Sequence, residues 1–521
     1  MHAEQVRALL LRRSEVVIAD VREEAVHARG HPLWAASFPL SRLELDAWRR
    51  IPRCDTPIVV YGDADSPASR AIGVLRRLGY TRVHELEGGL DGWIASGGEI
   101  FQDVNVPSKA FGELVESVAG TPSLPPQRVR ELIDAGTPPV IVDARTFDEY
   151  ATTSIPTATS VPGAELVLRV RELAPDPATP IVVNCAGRTR SIIGAQSLIN
   201  AGLPNPVAAL RDGTIGWTLA GQRLDHGATR TAPPAVTPEH HARAVAGARA
   251  VAERAGVAFI GARDLPGLRE PGRTTYVFDV RSAAEYASGH LDGARHAPGG
   301  QLVQETDHYA PVRGARIVVV DDDGVRAAMT GSWLAQMGWE TYAISPAAPD
   351  DLVWKGEEPP LHPEPPRMDT VDAATLRTWL DSRSAVVIDV GPSRAYAAGH
   401  VPGAWYAARA LLPAALGAIG DAERYVVTSP TGVLARFAAA DLRRLTSVPV
   451  FALDGGTGAW EGLETDSVRY AVAPNDRYRR PYEGTDNPRE AMEAYLEWEY
   501  GLVKQLERDA THNFRVLRAI P

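Results

Sequence analysis

The sequence predicts an α/β protein of four tandem, doubly wound parallel-sheet domains followed by a C-terminal helical tail. Three observations carry that prediction. One pattern of strands and helices recurs four times, its spacings barely vary, and proline-rich stretches at 121–126, 231–238 and 357–367 separate the copies. A chain of 521 residues is also too long for a single hydrophobic core. Repeats at fixed spacing mark one structural unit used several times.

Each unit opens with an apolar strand ending in Asp, at 16–20, 140–143, 276–279 and 385–389. Arg follows two residues later in three copies (Arg22, Arg145, Arg281), and Gly391 takes that place in the fourth. A Gly-His pair comes next at Gly30-His31, Gly289-His290 and Gly399-His400, whereas the second copy reads Thr153-Ser154. A second apolar strand then spans 58–61, 181–184, 317–320 and 425–428, followed by a short loop, an Ala/Leu-rich helix, a third strand and a Trp. From the first Asp to the residue opening the loop the spacing is 42 in three copies and 40 in the fourth. From there to Trp93, Trp217, Trp354 and Trp460 it is 31, 32, 33 and 31.

Strands that alternate with helical stretches imply parallel pairing through βαβ crossovers. The strand runs lack strict apolar–polar alternation, as strands covered on both faces should. The expected domains are 1–110, 121–228, 239–358 and 366–472, with a tail over 473–521. In such sheets ligands bind beyond the carboxyl ends of the strands. The repeated loop falls there.

Only one of the four loops opens with cysteine. It reads Cys185-Ala186-Gly187-Arg188-Thr189-Arg190, with Ser191 entering the helix. A loop between a strand and a helix N-terminus can turn its backbone N–H groups inward to bind an anion, aided by the helix dipole. Gly187 is expected to relieve the curvature. A cysteine at that place, near two arginines, is expected to be largely thiolate. Guanidinium forks suit oxyanions. Such a thiolate supports attack on a sulfane sulfur, storing it as a persulfide, or attack on phosphorus.

The other loops open with Gly62, Asp321 and Ser429. A serine hydroxyl without a base is a weak nucleophile, and the acidic first and third loops would repel an anion. Cys185 is therefore the candidate nucleophile, and the other three domains are read as inactive.

The loop Cys185–Arg190 and the repeated Asp-x-Arg…Gly-His unit resemble the rhodanese (thiosulfate sulfurtransferase) superfamily over residues 1–470. The resemblance implies that Cys185 forms the persulfide. It also implies that the backbone of Ala186, Gly187, Arg188, Thr189, Arg190 and Ser191 cradles it, and that Arg188 and Arg190 hold the donor. Related cell-cycle phosphatases carry a loop one residue longer, so the length here favours sulfur chemistry. Ser154 departs from the family's usual His. The implied reaction moves sulfur from a small thiosulfate-like anion to cyanide or a thiol, with no cofactor or metal. A carrier or scaffold whose inactive domains dock partners is the alternative.

The remaining features are weaker. The net charge of −11 argues against nucleic acid as partner. No apolar run long enough for a membrane span and no signal-peptide pattern are seen. Two cysteines exclude a disulfide framework, so a reducing cytoplasm is expected. Cys54 lacks a reactive setting, and His240-His241 lacks further ligands. The Gly299-Gly300-Gln301 segment is a candidate binding loop. Ala491, Tyr495, Trp498, Leu502 and Leu506 have helical spacing, so the tail should pack on the domains or on a second copy in a homodimer.

Overall fold

A computed structural model describes residues 1–518. It contains four separate sheets in which every strand pair is parallel. In the second sheet the order is Ser123–Leu124, Val207–Leu210, Ile181–Asn184, Val140–Asp143 and Thr159–Ser160. The third and fourth sheets repeat this order, and the first lacks the leading edge strand. The central Val/Ile runs are buried, because helices cover both faces of each sheet.

Register explains the repeated Asp. Asp143 pairs with Asn184, the residue before Cys185, so the Asp-x-Arg unit lies beside the functional loop. Asp143 accepts from the Arg145 backbone N–H at 3.1 Å, from Nε at 2.9 Å and from Nη2 at 2.7 Å. Nη2 also reaches the carbonyl of Thr153 at 2.5 Å. Asp20–Arg22 and Asp279–Arg281 repeat this clamp onto Gly30 and Gly289. In the fourth domain the Gly391 N–H and the Thr457 hydroxyl cap Asp389. The clamp is thus internal to the turn. The Gly-His histidines bind backbone carbonyls, and His290 and His400 stack on Tyr286 and Tyr396. The closing Trp93 and Trp217 are buried, while Trp354 is exposed.

The domains pair through equivalent segments. The 3-10 turn Gly163–Glu165 of the second domain meets the helix Gly299–Gln304 of the third. The turn Leu40–Arg42 of the first meets Arg409–Leu411 of the fourth. Gly299 and Gly300 are therefore docking positions in a helix, not an open binding loop. A Cβ on Gly299 would lie 2.1 Å from Thr330 Oγ1 and 2.9 Å from Ala164 Cβ. One continuous apolar core joins the first three domains and reaches Ala410 of the fourth, while further clusters lie within the second, third and fourth domains. The fourth docks largely through polar groups: Arg409 with Glu44, Asp441 with Arg70, and the Ala410 N–H with Ser41.

Two further helices matter for the site. Val106–Ala119 links the first and second domains and packs on Thr189–Asn200. The tail forms the helix Arg489–Asp509, which lies against Val106–Ala119 and Gly213–Leu219 of the same chain. Its buried face is Met492, Tyr495, Leu496, Glu499, Leu502 and Leu506. No described helix is long and apolar enough to cross a membrane.

Candidate active site

Cys185 ends the run Ile181–Asn184 at the carboxyl edge of the second sheet, and the helix Thr189–Asn200 begins four residues later. Among the described residues, the backbone N–H groups of Ala186 through Ser191 donate to no protein carbonyl or carboxylate. The backbone N–H and the hydroxyl of Ser191 both face the cysteine sulfur, with Oγ 3.5 Å from Sγ. The loop carbonyls point the other way. That of Cys185 accepts from the Thr214 N–H at 2.9 Å, and that of Ala186 from Ile215 at 3.0 Å. Turning the carbonyls out leaves the donors facing in, the arrangement an anion requires.

Gly213 makes the outer contact possible. It adopts φ +57°, and a Cβ there would lie 2.4 Å from the Cys185 carbonyl oxygen. Sequence reading passed over it, although a Gly at 213 and another at 456, each near its domain's third strand, are a visible signal. Gly187 has a different role from the one expected. A Cβ at that position would lie 3.0 Å from Glu499 Oε2 and 3.1 Å from the Tyr495 ring, so a side chain there would crowd the tail.

The two loop arginines are already engaged. Arg188 donates to Glu113 at 2.8 and 2.9 Å, to Asp212 at 3.0 Å and to Glu116, and it lies over the Tyr500 ring. Its guanidinium thus fastens the loop to the linking helix. Arg190 forks onto Glu149 at 2.7 and 2.8 Å. The third domain, which has no cysteine, keeps the equivalent fork between Arg326 and Glu285 at 2.8 and 2.9 Å. A pair retained without the nucleophile is primarily a structural tie. Arg190 still acts electrostatically on the sulfur from beside it.

Cys185 is 2% exposed. Burial pushes its thiol pKa up, and Arg190, the Ser191 hydrogen bonds and Glu499 modify that rise, the first two downward and the last upward. The sequence expectation of a thiolate rested on helix and arginine alone and left out desolvation. A small pocket lies over the loop. Its outer wall is Lys109, Gln304, Tyr482, Tyr495 and Glu499, none of which belongs to the second domain's repeat. The Lys109 ammonium is paired with Asp103 at 2.8 Å, and the rings of Tyr482, Tyr495 and Trp498 lie 5.1–5.8 Å from it. Cation–π contact favours a charge held this far from water.

The three loops that open without a cysteine are filled in three ways. Asp321 fills its own loop with a carboxylate that accepts from Gly324 at 3.2 Å and Ala327 at 2.7 Å. Ser429 Oγ accepts from Ala435 at 3.1 Å. Ala327 and Ala435 are each six residues after the loop opening, as Ser191 is after Cys185, so the opening side chain always points into the ring of donors. At Gly62 the loop has collapsed, and a Cβ would meet the Ser66 carbonyl oxygen at 1.9 Å. Elsewhere, Cys54 is exposed on the first domain, His240 pairs with Glu172 at 2.9 Å, and His241 lies 2.8 Å from the Asp323 carbonyl.

Comparison with known proteins agrees with this geometry. A family model described as a rhodanese-like domain matches residues 2–96, 125–220, 262–345 and 372–463. A crystal structure of thiosulfate sulfurtransferase from Pseudomonas aeruginosa is 55% identical, covers 99% of each chain and superposes with a TM-score of 0.97. The Alr3790 protein from Anabaena is 32% identical over 20% of this chain and 82% of its own, with a TM-score of 0.19. The uncharacterised Bacillus subtilis protein YqhL is 35% identical over 83 residues, which span 62% of its length and 16% of this chain. Four sheets of one topology, each carrying a family match, show that the chain belongs to the rhodanese family as four rhodanese-like domains in tandem.

Proposed function

We propose that the protein is a sulfurtransferase that takes a sulfane sulfur onto Cys185 and passes it to a thiophilic acceptor. The observation that carries this reading is the ring of unpaired N–H groups around a single buried sulfur. The full-length likeness to a protein described as thiosulfate sulfurtransferase supports it. In the first half-reaction the thiolate attacks the outer sulfur of a thiosulfate-like anion, a new S–S bond forms and sulfite leaves. In the second, cyanide or a thiol attacks the outer persulfide sulfur and frees the Cys185 thiolate. The persulfide anion sits among the N–H groups of Ala186 to Ser191, with Arg190 and Lys109 supplying positive potential. A reducing compartment such as the cytoplasm suits a chain that works through one thiol.

The test is stoichiometric. Protein exposed to thiosulfate and then freed of it should carry one cyanide-releasable sulfur per chain, seen by intact mass as one added sulfur atom. The adduct should persist in Cys54→Ser and vanish, with turnover, in Cys185→Ser. Two adducts, or turnover by folded Cys185→Ser, would refute the assignment. One labelled equivalent without multiple turnovers would favour the carrier reading, for which the burial of Cys185 is the relevant observation.

A further inference from the structure

Glu499 is the least expected wall of the pocket. It comes from the tail, more than 300 residues after Cys185 in the chain, and it is 1% exposed. Its Oε1 accepts from the Tyr495 hydroxyl at 2.8 Å, while Oε2 has no hydrogen-bond partner among the described residues. That unpartnered oxygen is the one held against Gly187, over the loop. In the third domain a carboxylate, Asp321, consumes the ring of donors. In the second, a carboxyl stands at the mouth of the ring and takes none of them. Leaving a buried polar atom unpaired is costly, so an oxygen kept that way is available to a bound molecule.

We propose that Glu499 is a catalytic acid that hydrogen-bonds an oxygen of the donor's leaving group and protonates that group as the S–S bond breaks. This rests on the reading of Cys185 as sulfur acceptor. The Cys185 thiolate forms the new bond to the outer sulfur of thiosulfate. The electron pair of the broken S–S bond stays on sulfite, and the proton on Oε2 passes to a sulfite oxygen, releasing bisulfite and leaving a carboxylate. Water restores the proton before the next turnover, so no oxidant or reductant enters.

The surroundings suit that role. The linking helix presents Lys109 and Glu113, the loop presents Cys185, Arg188 and Arg190, the segment before the tail helix presents Tyr482, and the tail itself presents Tyr495. Burial and Glu113 push the Glu499 carboxyl up to about 8, against the opposing pull of Lys109, Tyr495 and Arg188. Two neighbouring carboxyls are also raised by burial, Glu113 to about 6 and Glu305 to about 7. Glu113 is bound by Arg188, and Glu305 lies outside the pocket wall.

The experiment measures steady-state kinetics against pH with two donors, thiosulfate and benzenethiosulfonate, whose leaving sulfinate is a far weaker base than sulfite. With thiosulfate the wild type should show a bell in kcat/KM. Glu499→Gln should lower kcat by about 100-fold, leave KM within a few-fold and remove the falling limb of the bell. With benzenethiosulfonate the same variant should stay close to wild type. Glu305→Gln should keep the bell. A Glu499→Gln protein with wild-type kcat and an intact falling limb would overturn the proposal. So would loss of the falling limb in Glu305→Gln alone. Should Glu499→Gln not fold, the wild type serves: persulfide formation from thiosulfate should slow in deuterium oxide and that from benzenethiosulfonate should not, and equal behaviour of the two donors would overturn the proposal. Turnover by Cys185→Ser would instead defeat the underlying reading of the site.

Discussion

Arg188 shows how a residue can have the right chemistry and a different partner. A guanidinium beside a reactive cysteine reads as an oxyanion clamp, yet here it answers Glu113, Glu116 and Asp212. Removing one member of a buried ion cluster leaves the others uncompensated, at a cost of about 3–5 kcal/mol. Arg188→Ala should therefore lower stability by roughly that amount, measured by denaturant unfolding. The remaining folded protein should keep a near-normal KM for thiosulfate. A folded variant of unchanged stability with a sharply raised KM would restore the donor-binding role. Residue type and the neighbours within the loop were legible in the sequence. The partner was not, because Glu113 lies 75 residues away with nothing local to pair it to Arg188. The same gap affects the thiol, whose burial depends on a tail the loop's own sequence does not mention.

The strand–loop–helix element was far more legible, since its strands, glycines and spacings repeat within one chain. What repetition conceals is how each loop is filled. Ser429 and Asp321 both occupy the ring of donors, so Ser429→Cys exchanges one oxygen for a sulfur in an existing cradle. Gly62 has no such space, because the Ser66 carbonyl stands where a Cβ would be. Ser429→Cys should melt with the wild type, whereas Gly62→Cys should lose about 1–3 kcal/mol from overpacking, both read by thermal unfolding. In a Cys185→Ser background, Ser429→Cys should still store no cyanide-releasable sulfur. Pro430 removes an N–H that Ala186 supplies. Labelling at the wild-type rate would mean that the strand–loop–helix element alone suffices.

Across the whole molecule, segments outside the second domain's repeat form the walls around Cys185. The first domain leads into the helix bearing Lys109, the third supplies Gln304, and the tail supplies Tyr495 and Glu499. Four sheets were readable from periodicity, but this convergence was not, because contacts between segments hundreds of residues apart leave no periodic trace. The contact between the second and third domains offers a test. Gly299 opens the helix that ends at Gln304, and it touches Thr330 within its own domain and Ala164 across the interface. A methyl group there has no room, and both neighbours belong to well-packed segments, so the helix must shift. Gly299→Ala should cost about 1–3 kcal/mol in stability. It should also lower kcat/KM at Cys185, because the displaced helix carries Gln304 out of the pocket wall. Gly267→Ala, in the same domain with nothing within 4 Å of the added methyl, is the control and should leave activity unchanged. If Gly299→Ala loses stability with full activity, the third domain is a neighbour of the site rather than one of its walls.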